Sequence, residues 1–395
     1  MFGKVFGQSF LARCYIRGLQ KCFGGIAMKR ILMITLLTAL IVAGCDDGNV
    51  NKKSDNQSFS GIRTGAYSDQ GFYAIDEDNC LVYFIDKNSY KSTPLCDKTN
   101  CAHDDSSCNA FYGELQGVYV NDGFVYVTAY DYNAEGEIDC MGLYKLTMDG
   151  SEKNRVRTLF RCDDDEQRAL SADFIIHRGV GYLTVDCLPR DKEEWEQIVW
   201  RVSLEDDGMD EIYRVKGYYP SISIVSTYED NIYFCSYVHK DSSWDSDEEE
   251  IVHCYNSKDE SVTDIPVSGN QTFETCCAGK MYFMECDRDM EKLEFFVSDM
   301  DGKNNKSVYK MENVSTWGKF CDGRYRYIEI FDYDTSDYRM VVLDYDGREI
   351  CDFHMGDKRI MWSDGENILF QDDDSGQFSI FNIDTLKETV IEGTQ

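Results

Sequence analysis

Asn121-Asp122-Gly123-Phe124-Val125-Tyr126-Val127-Thr128-Ala129-Tyr130 decides the fold: a polar Asp-Gly pair, then an uncharged run of aromatic and β-branched residues. Asp-Gly favours two-residue hairpin turns in which both residues take positive φ, and the run that follows is rich in strand formers. The same signal occurs seven times. Its copies are Gln70-Gly71-Phe72-Tyr73, Asp122 to Tyr126, Arg178-Gly179-Val180-Gly181-Tyr182, Glu229 to Tyr233, Ala278 to Tyr282, Asp322-Gly323-Arg324-Tyr325 and Asp364 to Ile368. Successive copies are 42 to 56 residues apart, the range expected of propeller blades.

A second signal, strand then turn, follows each first one. It covers Leu81 to Asp86, Leu143 to Gly150, Ile198 to Gly208, Ile251 to Ser257, Phe295 to Gly302, Met340 to Gly347 and Phe378 to Asp384. Each unit thus reads as four short strands joined by two tight hairpins and one longer loop. The chain has only 4 Pro, which suits paired strands. Runs such as FVYVTAY and YRMVVLDY are apolar on both faces, as in a sheet packed between two others. The expected fold is all-β, a seven-bladed β-propeller of four-stranded blades with one continuous core. Two tandem β-sandwiches would lack the constant period.

In such blades the first and third connections share one rim, and the second connection and the link to the next blade share the other. The tight Asp-Gly turns are expected on the first rim. The longer, carboxylate-rich connections Tyr130 to Cys140, Cys187 to Gln197, Val238 to Glu250, Asp287 to Glu294 and Asp332 to Tyr338 fall on the second. Two of them carry a tryptophan, Trp195 and Trp244. Function on repeat folds concentrates where insertions vary, so these indoles are the ligand-binding candidates, suited to stacking on a sugar or anchoring a protein contact.

Between the first and second units lies Pro94-Leu95-Cys96-Asp97-Lys98-Thr99-Asn100-Cys101-Ala102-His103-Asp104-Asp105-Ser106-Ser107-Cys108-Asn109-Ala110. This insert at 96–112 is expected on the loop-rich rim. Cys96, Cys101, His103 and Cys108 are the ligand types of a tetrahedral zinc site, though one residue between Cys101 and His103 makes the site tight. A disulfide-stapled loop and free thiols are the alternatives this spacing leaves open. The carboxylates Asp332, Asp334 and Asp337 and the run Asp372-Asp373-Asp374 could hold calcium or serve as solvated hairpin charge.

This PLC-x4-C-x-H-x4-C-x-A segment, together with the Tyr-rich, Asp-Gly-punctuated repeats, resembles cell-surface lipoproteins of unknown function from anaerobic Gram-positive bacteria. The repeats also look like the wider TolB-like and YWTD-like groups. The resemblance implies an extracytoplasmic location on a Gram-positive envelope and brings no catalytic residue with it.

The N-terminus points the same way. Met28-Lys29-Arg30 is a positive start, Ile31 to Val42 a short apolar run, and Val42-Ala43-Gly44-Cys45 a lipobox. The run is too short for a bilayer of about 30 Å, which needs roughly 20 residues. Residues 28–44 therefore read as a lipoprotein signal peptide, Cys45 as the lipidated first residue, and 45–60 as a polar tether reaching roughly 20 Å. Residues 1–27, with four basic and no acidic residues, read as an upstream extension from too early a start. The propeller occupies 61–395.

The chain of 395 residues carries 72 Asp or Glu against 40 Lys or Arg, a formal charge of -32. Such a surface repels nucleic acid and anionic lipid, so membrane attachment is expected through the lipid anchor alone, with the protein a monomer. Hydrophobic residues at 43% exclude wholesale disorder. Beyond Cys45 and the insert, the mature chain has eleven further cysteines, among them the adjacent Cys276 and Cys277, which show no CxxC pair and read as core filler, with that adjacent pair the redox-active exception to watch. His177, His239, His253 and His354 lack partner motifs. No G-x-S-x-G, HExxH, Walker loop or sialidase box occurs. The expected function is a non-catalytic binding module for an envelope protein or glycan. The alternatives are an envelope glycan-active enzyme using loop carboxylates and a metal-dependent sensor built on the Cys/His loop.

Overall fold

The computed structural model describes residues 64–162, 167–189, 195–239, 248–287 and 292–392. The lipobox, Cys45, the tether and Trp244 lie outside the described residues. The chain divides into a unit of residues 1–53 and a unit of residues 54–395; everything below concerns the second.

That unit is a series of antiparallel meanders. β1 (Gly65–Tyr67), β2 (Gly71–Asp76), β3 (Leu81–Asp86) and β4 (Ser92–Pro94) form the first sheet, and β5 (Glu114–Asn121), β6 (Phe124–Tyr132), β7 (Ile138–Thr147) and β8 (Lys153–Arg161) the second. A seven-stranded run follows: β9 (Gln167–His177), β10 (Val180–Pro189), β11 (Trp195–Ser203), β12 (Met209–Tyr228), β13 (Asn231–His239), β14 (Glu248–Asn256) and β15 (Ser261–Ile265). Three more four-stranded sheets complete the chain. They are β16 (Thr272–Cys277), β17 (Lys280–Asp287), β18 (Lys292–Asp299) and β19 (Lys306–Glu312); β20 (Val314–Cys321), β21 (Tyr325–Asp332), β22 (Asp337–Asp344) and β23 (Glu349–His354); and β24 (Lys358–Ser363), β25 (Asn367–Asp372), β26 (Phe378–Asn382) and β27 (Lys387–Val390).

β12 explains the seven-stranded run. Its first half, Met209 to Gly217, pairs with β11, and its second half, Tyr218 to Tyr228, pairs with β13. The ladder is interrupted between Tyr218 and Ser221. One continuous strand therefore ends one four-stranded set and begins the next, where the sequence suggested a separate link.

Successive sheets pack against one another: β1 touches β5 and β24, β5 touches β9, β12 touches β9 and β16, and β18 touches β20, while Phe320 shares a core cluster with Ile360 and Ile368 of the last sheet. Contact between β1 and β24 joins the last sheet to the first and closes a ring. Among the described residues each end sheet is built wholly from its own end of the chain, with no strand exchanged across this joint. It rests on packing, on Ser92 N donating to Glu392 O, and on an Arg359–Glu77 ion pair. At Gly65 the backbones come so close that any Cβ would meet Met361 O at 2.3 Å.

Burial falls from the centre outward. All six residues of β2 are buried, and all four of β27 are exposed. This gradient is why second strands such as FVYVTAY are apolar on both faces while fourth strands such as KETV are polar. The core of the first two sheets continues into the last through Met361, Trp362, Leu369, Phe378 and Ile380.

The tight turns are less uniform than expected. Asp122-Gly123, Arg178-Gly179 and Ala278-Gly279 have both residues at positive φ, the geometry that matches strand twist. At Asp149-Gly150, Asp301-Gly302 and Asp346-Gly347 only the glycine is positive. There an Asp side chain fixes the turn instead, as when Asp149 Oδ1 accepts from Ser151 N and Asp301 Oδ1 from Lys303 N.

Candidate metal centre and hairpin rim

The Cys/His insert does not sit on the loop-rich rim. Pro94 ends β4 halfway along β3, opposite Tyr83. The same sheet edge resumes at residues 110–112, where Val82 N donates to Ala110 O, Leu81 bridges Phe111, and Tyr112 N donates to Cys80 O. The insert thus bulges sideways from the outermost strand of the first sheet. It lands on the β7–β8 hairpin of the second, a turn assigned to the opposite rim.

Within it, one ligand atom from each of Cys96, Cys101, His103 and Cys108 lies within 4.8 Å of the other three. Among the described residues this is the one group of three or more such side chains placed to hold a metal. Asn100 and His103 both adopt left-handed backbone conformations, φ +58° and +59°. These two kinks let Cys101 and His103, only one residue apart, face a common point. His103 Nδ1 is 3.1 Å from the Cys108 sulfur.

Backbone donors also converge on the sulfurs. Ala110 N donates to Cys108 Sγ at 3.3 Å. Burial works to raise the Cys96 thiol, but the N–H groups of Asn109 and Lys98 together with hydrogen bonds from Cys108 and Cys101 hold it below its ordinary value. Burial pushes the Cys108 thiol up to about 12. All four cysteine and histidine side chains are at least half-buried or buried, Cys108 completely. A set of soft donors with N–H groups aimed at the sulfurs is the environment of a bound thiolate.

The insert is bonded to its landing place by residues next to the ligands. Asn109 Nδ2 donates to Gly150 O at 2.8 Å and to Ser151 O at 3.0 Å. Lys153 Nζ donates to Cys108 O and Phe111 O, and lies 4.4 Å from the centre of the Tyr112 ring. Gly150 takes φ +70°, and a Cβ there would collide with the Leu95 carbonyl at 2.3 Å. A cavity of about 650 Å³ lies beside this contact, lined by Leu95, Cys96, Gly123, Met148 and Asp149 among others. A second, of about 510 Å³, lies between Asp122 and Asp206. Both border tight turns, away from the loop-rich rim.

On the other rim the strands run further than expected. β6 extends to Tyr132 and β7 starts at Ile138; β10 extends to Pro189 and β11 starts at Trp195. Trp195 is therefore the first residue of a strand, opposite Gly217, and half-buried, not a loop residue. What the sequence reading missed are tyrosines. Tyr132, Tyr333 and Tyr338 are 46%, 44% and 46% exposed. Phe331 packs against the rings of Tyr333 and Tyr338 at 5.2 and 5.0 Å. Their signal was an aromatic-Asp-Tyr step at both hairpin tips, Tyr130-Asp131-Tyr132 and Phe331-Asp332-Tyr333, hidden among the carboxylates.

The calcium candidates serve their own hairpins. Asp332 accepts from the N–H groups of Asp334 and Thr335 and pairs with Arg339, and Asp337 pairs with His354. Asp372 accepts from Ser375, and Asp373 lies 3.5 Å from Arg359. Burial holds two carboxyls above their ordinary range, Asp322 and Glu329, with Asp373 adding to the second. Asp322 is spent on Arg324 N, Tyr325 N and Ser363 Oγ. Burial also raises the Cys276 and Cys277 thiols, which keeps them protonated and argues against their redox role.

No protein-family model matches the sequence, and no curated protein matches it either. Solved structures share its arrangement of sheets. One from a study of two prolyl endopeptidases superposes with TM-score 0.56 at 12% identity, over 85% of this chain and 50% of that one. An acylaminoacyl peptidase in complex with Z-Gly-Gly-Phe-chloromethyl ketone gives 0.52 at 9% identity, over 87% and 53%. Apo AztD from Citrobacter koseri gives 0.45 at 11% identity, over 85% and 84%. The chain spans about half the length of the two peptidase chains, and the likeness is one of fold. Sheet order, the closed circle of contacts and the likeness to the two peptidase structures define the class: a β-propeller with a Cys/His insert able to hold a metal.

Proposed function

We propose that the chain is a lipid-anchored, seven-bladed propeller on the outer face of a Gram-positive membrane, where it binds an envelope protein or glycan without catalysis. Cys45 supplies the anchor. Counting β12 once for each partner divides the strands into seven sets of four, which supports the blade number. The observation that carries the binding reading is the set of exposed tyrosines on the hairpin rim, with Trp195 at the start of β11 beside the same connection type and Trp244 on the next. Aromatic rings offer large contact area at small entropic cost, and they stack on sugars as well as on protein. In this reading zinc occupies the Cys/His cluster, because three soft thiolates and an imidazole match its preferences.

The test uses the soluble chain from Asp46 onward as bait in envelope extract. Tyr333→Ser combined with Tyr338→Ser is expected to abolish capture while leaving the melting temperature unchanged. Phe124→Ser, on the tight-turn side, leaves capture intact. Equal capture by all three proteins would refute the rim as the binding face.

A further inference from the structure

We propose that the Cys96, Cys101, His103 and Cys108 centre is a closed structural zinc site whose occupation clasps the outer strand of the first sheet to the β7–β8 hairpin of the second. This deepens the zinc reading above and rests on it. The centre is closed because the chain supplies four ligands, and a zinc that keeps a position for water or substrate ordinarily has three protein ligands. Ideal tetrahedral arms of about 2.3 Å to sulfur and 2.0 Å to nitrogen place the ligand atoms roughly 3.5 to 3.8 Å apart. The observed cluster, everywhere within 4.8 Å and 3.1 Å at its closest named pair, needs only small movements to meet that geometry.

The clasp follows from where the ligands sit along the chain. Cys96 follows Leu95, whose carbonyl abuts Gly150. Cys108 precedes Asn109, which bonds Gly150 and Ser151, and its own carbonyl accepts from Lys153. Both ends of the insert that touch the second sheet are thus adjacent to ligands. The segment between them, Asp97 to Ser107, has polar or small residues at every position but the ligand Cys101 and cannot bury a core of its own. It carries two left-handed residues that a free loop has no reason to hold. Metal bonds supply what apolar contacts do not. A disulfide would take two of the three sulfurs and leave the imidazole and the remaining thiol without a common task.

The full chain, purified under reducing conditions, is stripped with a chelator and reloaded with Zn2+ or Co2+. The proposal expects one equivalent of metal, the visible bands and sulfur-to-metal charge transfer of tetrahedral thiolate Co2+, and protection of the amides of 110–112 and 147–153 that falls about tenfold on stripping, while β25 and β26 are unchanged. Asn109→Ala separates the two layers: it keeps all four ligands, so it is expected to bind metal normally yet lose protection at 147–153. Metal binding with no change in protection overturns the clasp and leaves the zinc reading standing. Failure to bind metal, or an oxidised pair among the three cysteines in the protein as isolated, overturns both.

Discussion

Replacing Glu274 by Leu strands a cation that cannot shed its proton inside the joint between β16 and β21. Arg326 and Glu274 are each 1% exposed. One carboxylate oxygen takes Arg326 Nη2, and the other lies 3.9 Å from Lys319 Nζ. Arg326 Nε and Nη1 have no hydrogen-bond partner among the described residues. Its guanidinium otherwise faces the rings of Phe295, 4.4 Å away, and Tyr282, 5.5 Å away. Those ring contacts exist in the parent, so they offset nothing on mutation. Breaking a buried pair by removing one partner costs about 3–5 kcal/mol. At roughly 2 °C per kcal/mol for a chain of this size, the melting temperature falls by about 6–10 °C. Arg326→Met costs less, because Glu274 keeps Lys319 as a cationic neighbour. The double variant Glu274→Leu/Arg326→Met is expected within about 1 kcal/mol of the parent. Thermal melts followed by near-ultraviolet circular dichroism read all four proteins. A Glu274→Leu variant that melts with the parent, or single effects that simply add, would refute the reasoning.

Other outcomes follow from single sites. His253 is buried with Nε2 2.8 Å from Ser236 Oγ and Nδ1 2.8 Å from Asp264, against the rings of Tyr213 and Phe234; burial lowers its pKa although Asp264 works to raise it. The unfolded chain takes up this proton near pH 6.5, so the stability carried by neutral His253 is complete above that pH and is lost as pH falls through the lower folded value. His253→Gln should flatten the decline between pH 7 and 5, and an imidazole NMR midpoint above about 6.5 would contradict the sign. Cys45→Ser should release the chain from the membrane fraction, and unchanged processing and retention would remove the anchor. Ending the chain at Asp357 deletes β24 to β27 and uncovers the core they share with the first sheet, so the product should be insoluble; a soluble, cooperatively melting truncation would sink the single ring.

The repeats were legible because their signals are local. An Asp-Gly turn and the apolar strand after it lie within a few residues of each other, and every second strand from β2 to β25 falls where that pair predicted. The ligand set was legible for the same reason, four side chains of the right type in one short segment. Its location was not. That Pro94 breaks the outer strand and Phe111 resumes it depends on the partner strand β3, which the segment itself does not reveal. The split of β12 between two partners was hidden similarly, since nothing local marks the residue at which a strand changes neighbours. Trp195 looked like a loop residue because Asp191 to Glu194 are charged, yet the β11 ladder begins at the indole. The exposed tyrosines of the rim follow from hairpin position rather than from residue type.

One incubation distinguishes binding from turnover. The soluble chain from Asp46 is mixed with envelope extract, and captured material and free products are followed together by mass spectrometry over time. A binding module retains its partner in fixed proportion to the propeller, with no product that grows with time. A product that keeps accumulating, and stops when half-buried Glu329 is changed to Gln, would contradict it and make the chain an enzyme.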